Sequence, residues 1–314
     1  MSPRAVHIWA NLAVLAGGGV LCALYAGCAS ARFGSRRFFS AFFFFLFGSL
    51  FGFIGAKAVY AAANGARLVM QDGLPALFRM KPEEFSFVGL IAGTALGYYL
   101  VCAMCQDGED VGKLFQRTAP AVALFAAFAR FGEYFLGMLG LGYGVENEAL
   151  AFFPLAVFED GHPGDPLYAW TAIFMLEGAA ALLVAMILFI RRNRKPNRSM
   201  LKMAWYLCSW QLLLESMRSD SAHWGFVRQD QVLCAAVLLA IAAGTCIALS
   251  REQAAGFRKA APVLAVAAAA LMVTALEFIM DKTRVSHYLC WGLMLLPVLL
   301  LTATGILYLN RKKA

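Results

Sequence analysis

Long apolar stretches separated by short polar loops run the length of the chain. A helix rises about 1.5 Å per residue and the hydrocarbon layer is about 30 Å thick, so a run of about 18 or more apolar residues can cross a membrane. Nine such stretches stand out, at about residues 6–29, 38–63, 86–105, 118–140, 167–190, 201–217, 231–249, 260–280 and 287–309. The sixth is the weakest, because Lys202, Gln211 and Glu215 interrupt it. The pattern predicts an all-α fold, a polytopic transmembrane helical bundle of about nine spans. The run Gly17-Gly18-Gly19 inside the first span predicts close helix contact. Gly137, Gly140, Gly142 and Gly144 predict the end of the fourth helix and room for a ligand to approach the backbone.

Composition agrees with this pattern. Of the 314 residues, 61% are hydrophobic and 15% charged, too little polar surface for a water-soluble domain of this size. Lys and Arg concentrate in alternate loops, as at Arg32, Arg36 and Arg37, the stretch Arg191–Arg198, and Arg311–Lys313. Basic loops stay cytoplasmic, so the N-terminus is expected outside and the C-terminus inside. The 142–166 loop has no Lys or Arg and holds Glu146, Glu148, Glu159, Asp160 and Asp165, as an external loop should. The net charge of +8 does not point to nucleic acid, because its densest run follows directly on a span. There it sets topology and meets anionic headgroups.

The eight cysteines fall inside spans or at their edges, and Cys102-x-x-Cys105 has no second pair or nearby His. Packed thiols are expected, not a disulfide or metal framework. The first span is too long in its apolar part, and too weakly basic before it, for a cleaved signal peptide.

Candidate chemistry starts at Arg130, in the middle of an apolar stretch within Ala129-Arg130-Phe131-Gly132-Glu133-Tyr134. A charge at that depth costs about 2.5–3.5 kcal/mol on insertion scales, so it must face a polar cavity or a partner. Other polar residues fall toward the expected outer ends of their spans. Lys57 and Tyr60 lie one turn apart near the end of the second, and Glu133 lies one turn from Arg130. His162 and Tyr168 precede the fifth, which carries Glu177. Gln211, Glu215 and Arg218 run up the sixth, followed by Asp220, His223 and Gln231. One reading is an ion-pair network fixing the helices, with Arg130–Glu133 and Glu215–Arg218 as self-neutralising pairs. The other is a polar cavity open to the outer leaflet, where Lys57, Arg130 and Arg218 attract the phosphate of a lipid headgroup.

These residues, in this order, resemble the prolipoprotein diacylglyceryl transferase family over most of residues 1–250. Gly55-Ala56-Lys57-Ala58-Val59-Tyr60 resembles its Gly-Ala-Arg-x-x-Tyr, and Ser86-Phe87-Val88-Gly89 its Ser-Phe-His-Gly. The Arg130 segment resembles its Gly-Arg-x-Gly-Asn-Phe signature. His162-Pro163 to Leu167-Tyr168 resembles its His-Pro-x-x-Leu-Tyr-Glu with one extra residue. Glu215-x-x-Arg218-x-Asp220, then Gln231, resembles its Glu-x-x-Arg-x-Asp…Gln.

The resemblance implies transfer of a diacylglyceryl group from phosphatidylglycerol, or another anionic phospholipid, to the lipobox cysteine thiol of a prolipoprotein. It implies no cofactor and no metal, recognition of the prolipoprotein signal peptide, and a multi-pass protein of the bacterial plasma membrane. Arg130, Glu133 and Glu215 are then the candidate catalytic residues. Lys57, Tyr60, His162, Tyr168, Gln211, Arg218 and Asp220 are the candidate substrate-binding residues. Residues 1–250 would form a seven-helix core and 251–314 a two-helix extension.

Of the positions that depart from the family pattern, four bear most on the chemistry. Val88 stands where the family has a histidine, Glu133 an asparagine, Gln211 an arginine and Ala169 a glutamate. Valine cannot take a proton; Glu133 is the substitute base the sequence offers. The alternatives are a divergent paralogue with another acceptor, or a non-catalytic membrane protein that binds a phospholipid or lipopeptide. A transporter is disfavoured, as no inverted repeats or paired broken helices are recognisable.

Overall fold

The computed structural model describes residues 6–30, 36–104, 110–145, 147–191, 198–224, 227–251, 256–283 and 285–310. Cys105, Glu146 and residues 192–197 of the basic stretch lie outside the described residues. The chain divides into two compact units, Met1–Met200 and Leu201–Ala314, so residue 250 falls inside the second.

The first unit holds α1 (Ile8–Ser30), α2 (Arg36–Asp72), α3 (Phe87–Met104), α4 (Val111–Arg117), α5 (Ala119–Gly132) and α6 (Ile173–Arg191). Between α5 and α6 the strands β1 (Leu141–Gly144), β2 (Ala156–Phe158) and β3 (Ala169–Ala172) form an antiparallel sheet in the order β1-β3-β2. Leu141, Val157, Ala172 and Phe174 make its small core, flanked by Trp170 and Met175. The second unit holds α7 (Ser199–Ser216, two residues of which precede the boundary), α8 (Gln229–Arg251), α9 (Gly256–Lys282) and α10 (His287–Leu309). A short hairpin, β4 (His223–Trp224) and β5 (Val227–Arg228), links α7 to α8. The architecture is the expected all-α bundle, with short strands pairing in two of its loops.

Among the described residues seven helices are long and apolar enough to cross a membrane: α1, α2, α3, α6, α8, α9 and α10. Of the nine expected spans, those corresponding to α5 and α7 fall outside that group. The 14 residues of α5 cover about 21 Å, short of the hydrocarbon thickness. The helix α7 carries Lys202, Gln211 and Glu215.

Three boundaries move. The second span, expected to end at residue 63, runs on to Asp72, where Gly73 at φ 78° ends it. Lys57 and Tyr60 are therefore interior to α2, not near its end. The fourth, expected to reach 140, stops at Gly132 and a 3-10 turn, Glu133–Phe135. Gly137 and Gly140 follow at φ 69° and 74°, which turns the chain into β1. The fifth starts at Ile173 rather than 167, because residues 169–172 pair as β3 with two other strands.

The closest helix pair is α2 with α3. Gly48, Gly52 and Gly55 face Gly89, Gly93 and Gly97, one turn apart on each helix. A Cβ at Gly55 would lie 2.5 Å from the Gly89 carbonyl oxygen; one at Gly93 would overlap the Phe51 carbonyl, and one at Gly97 that of Phe47. In lipid, where apolar surface gains nothing by leaving water, such backbone contact is what joins helices. The backbone N–H of Ser86 donates to the Ala56 carbonyl at 3.0 Å, fixing where α3 starts.

In the second unit α9 packs on both α8 and α10. The indole N–H of Trp205 on α7 donates to the Leu301 carbonyl on α10 at 2.8 Å. Gly305 leaves room for that indole, since a Cβ there would lie 2.6 Å from it.

Gly93→Ala should lower the thermal midpoint in detergent by the equivalent of about 1–3 kcal/mol, the usual cost of overpacking. Gly17→Ala, where a Cβ meets nothing within 4 Å, should leave the midpoint unchanged or raise it slightly.

Candidate functional site

Arg130 occupies the last turn of α5 and is 3% exposed. Three features accommodate a cation there. Glu133 accepts from its Nη1 at 2.5 Å, and Glu177 on α6 lies 3.1 Å from its Nε. The guanidinium carbon sits 3.7 Å from the centroid of the Phe87 ring, at the start of α3, a close cation–π contact. A helix C-terminus also favours positive charge.

Glycines bring these groups together. Gly178, next to Glu177, lets α6 close against the Phe131 ring of α5; a Cβ there would overlap that ring. Gly18 and Gly132 do the same for α1 and α5, where a Cβ would lie 2.5 Å from the Phe128 ring and 2.8 Å from the Asn11 amide nitrogen. Gly140 turns back over Glu133, its position leaving 2.5 Å between a Cβ and Glu133 Oε2. The end of the 3-10 turn is held by the His7 N–H, which donates to the Phe135 carbonyl at 2.8 Å. The two carboxylates differ: Glu177's side chain is 1% exposed and Glu133's 15%.

Elsewhere in this unit Lys57 pairs with Glu84 at 2.8 Å, its Nζ 5.8 Å from the Tyr60 ring and 5.7 Å from that of Phe85. His162 stacks on Tyr168 with centroids 3.9 Å apart, both on the outside of the loop between β2 and β3.

The second unit has its own buried polar centre. Glu215 accepts from the Gln211 amide at 2.9 Å and from the Ser221 hydroxyl at 2.5 Å. Arg218 does not take Glu215 as its counter-ion; it makes a two-pronged bond to Asp220, Nε to Oδ1 at 2.9 Å and Nη2 to Oδ2 at 2.7 Å. The expected Glu215–Arg218 pair is thereby corrected. The helix ends at Ser216, so Arg218 and Asp220 share a turn where a planar fork meets a carboxylate. Behind them, Arg228 donates through Nη1 to the Arg218 carbonyl, and its Nε lies 3.2 Å from Glu277 Oε1 on α9. Gln231 donates to the same Glu277 oxygen at 2.7 Å and to the Leu212 carbonyl at 3.0 Å.

Among the described residues no three His, Cys, Asp or Glu side chains group as a metal site, and the described cysteines are free thiols. Arg130 with Glu133 thus stands beside a carboxylate and an aromatic face in one unit. Gln211, Glu215, Arg218 and Asp220 gather in the other.

The sequence model of the prolipoprotein diacylglyceryl transferase family matches residues 3–247. The chain belongs to the prolipoprotein diacylglyceryl transferase family. Searches of curated proteins and of solved structures returned no match. Membership supports prolipoprotein diacylglyceryl transfer as the general activity, on lipid and prolipoprotein substrates in a membrane. The transferase match contains both buried centres except Glu277; α9 and α10 lie beyond it.

Reading the sequence for transferase motifs did not select Glu84, Glu177, Arg228 or Glu277 as site residues. For Glu177 and Glu277 a signal existed, the one that marked Arg130: a lone charge in an apolar run. Their partners could not be read from spacing, being 47 and 49 residues away in the chain.

Glu177→Gln should cost about 1–3 kcal/mol of stability, because it weakens a buried charge-assisted contact while Glu133 still faces the cation. A lower thermal midpoint in detergent with unchanged insertion is the expected result.

Proposed function

We propose that this protein moves the diacylglyceryl group of phosphatidylglycerol to the lipobox cysteine thiol of a prolipoprotein, at the outer half of a bacterial plasma membrane. The proposed topology is nine crossings with the N-terminus outside, α5 being the short crossing and α7 the polar one. The single observation that carries the assignment is Arg130: a buried guanidinium held by two carboxylates at the signature segment of the family.

The geometry supports a specific order of events. A phosphate diester brought to Arg130 is an anion beside two carboxylates, so one of them must leave. Glu133 is the more exposed, and it holds the guanidinium through Nη1, whereas the buried Glu177 holds Nε. The phosphate takes the place of Glu133 on the guanidinium fork. Released, Glu133 accepts the proton of the lipobox thiol, whose unperturbed pKa is about 8.5. The thiolate attacks the glycerol carbon of the lipid. The new C–S bond forms as the C–O bond to phosphate breaks, and the phosphate ester leaves as an anion stabilised by Arg130. In this reading Glu133 supplies the base that Val88 cannot.

We assign separate roles to the remaining residues. Lys57, Tyr60, His162 and Tyr168 act in substrate binding. Glu215 serves in catalysis, and Gln211, Arg218 and Asp220 hold substrate. A second reading, a phospholipid-binding paralogue or a transferase with another acceptor, is favoured by one observation, the valine at position 88.

Reconstitution in phosphatidylglycerol vesicles with a lipobox peptide tests the assignment, the diacylglyceryl thioether being read by mass spectrometry. The wild type should make the thioether. Arg130→Ala should insert and fold yet lose at least about 10²-fold in turnover, the scale of removing one charge-stabilising donor. Thioether formation at the wild-type rate by folded Arg130→Ala would end the assignment. Absence of product from folded wild type that binds phosphatidylglycerol would favour the second reading.

A further inference from the structure

We infer that Glu277, on a helix beyond the family-matched residues, is a positioning residue for the turn that carries Glu215 and Arg218. The inference rests on the transferase reading above and deepens it, because it gives the C-terminal helices a part in the site.

The helix α9 begins after residue 247, where the family match ends. Its Glu277 is buried, as are Arg228, Gln231, Arg218 and Glu215. One oxygen of Glu277, Oε1, receives both Gln231 at 2.7 Å and the Arg228 guanidinium at 3.2 Å. Arg228 in turn donates to the main-chain carbonyl of Arg218. That carbonyl belongs to the residue whose side chain grips Asp220, and the Arg218 N–H donates to the Glu215 carbonyl at 3.2 Å. Gln231 ties the same carboxylate to the Leu212 carbonyl on α7. Two routes therefore run from Glu277 to the end of α7, one through each neighbour. Neither Arg228 nor Gln231 has freedom to turn while Oε1 holds both.

The other oxygen, Oε2, is buried and has no hydrogen-bond partner among the described residues. The carboxylate thus works entirely through Oε1, toward α7 and α8. Replacing it with an apolar group removes that anchor from Arg228 and Gln231, and with it a restraint on the Arg218 carbonyl and side chain. A displacement of about 1 Å at a reacting group is enough to cost about 10²-fold in rate.

The test uses the full chain in phosphatidylglycerol vesicles with a lipobox peptide. Three proteins are compared: wild type, Glu277→Leu, and the paired Arg228→Met/Glu277→Leu. The single variant removes a buried counter-ion of Arg228 and should lower both the thermal midpoint and kcat. Replacing both members of a buried ion pair with apolar residues commonly restores stability. The paired variant should therefore regain the midpoint, raise the KM through the displaced Arg218, and still lose about 10²-fold in kcat. Wild-type kcat in the paired variant would overturn the inference, as would a kcat loss no larger than the loss of folded protein. If the wild type forms no thioether, the transferase reading fails and amide exchange decides the positioning claim. Faster exchange over residues 218–231 in both variants, against α10 as reference, supports it; unchanged exchange overturns it.

Discussion

A buried guanidinium must be neutralised and solvated by protein groups, and the first unit is organised around meeting that demand at Arg130. Lipid offers no donor or acceptor to complete the shell. Each contact therefore comes from a different helix: Glu133 from the turn after α5, Glu177 from α6, and the Phe87 face from α3. The contacts require those helices to approach closely, which explains why glycines sit where the helices touch. Gly178 admits the Phe131 ring, and the α2–α3 glycines let Ser86 and Phe87 reach their places. The neutralisation of Arg130 and the helix packing are in this sense one problem with one solution.

The same rule governs the second unit with different residues. Arg228 is a buried cation whose counter-charge, Glu277, comes from α9. Arg218 finds Asp220 across a turn, which leaves Glu215 to Gln211 and Ser221. Arg130 and Arg218 each meet a carboxylate a turn away in the chain, whereas Glu177 and Glu277 reach their cations from distant helices. Gln211, standing where the family has an arginine, donates an amide to Glu215 instead of a charge. Glu133, standing where the family has an asparagine, adds a charge at Arg130. The two departures shift the electrostatics of the two centres in the same sense, each by one negative unit: one loses a cation and the other gains an anion.

Much of this was legible in the sequence because the bilayer makes it so. Apolar runs gave the helices, and Arg130 with Glu133 one turn on gave a pair that the structure contains. What escaped was whatever depended on where a helix stops. The apolar run through residue 140 hides the end of α5, since Leu136, Met138 and Leu139 continue it while Gly137 and Gly140 turn the backbone. The β3 residues Trp170 and Thr171 extend the apolar run of α6 and read as helix until a neighbouring strand claims them. The pairing of Arg218 with Asp220 depends on α7 ending at Ser216; in a continued helix Glu215, three residues back, would have been the neighbour. The Gly89, Gly93 and Gly97 spacing was present in the sequence as a stripe, but which helix it faced was not.

The central claim is that Glu133 guards Arg130 until lipid phosphate displaces it and then takes the thiol proton. Phosphatidylglycerol affinity in Glu133→Gln, measured beside wild type and with phosphatidylcholine as the zwitterionic control, tests it most directly. Removing the competing carboxylate should tighten phosphatidylglycerol binding selectively while thioether formation is lost. Weaker or unchanged binding with retained turnover would contradict the account.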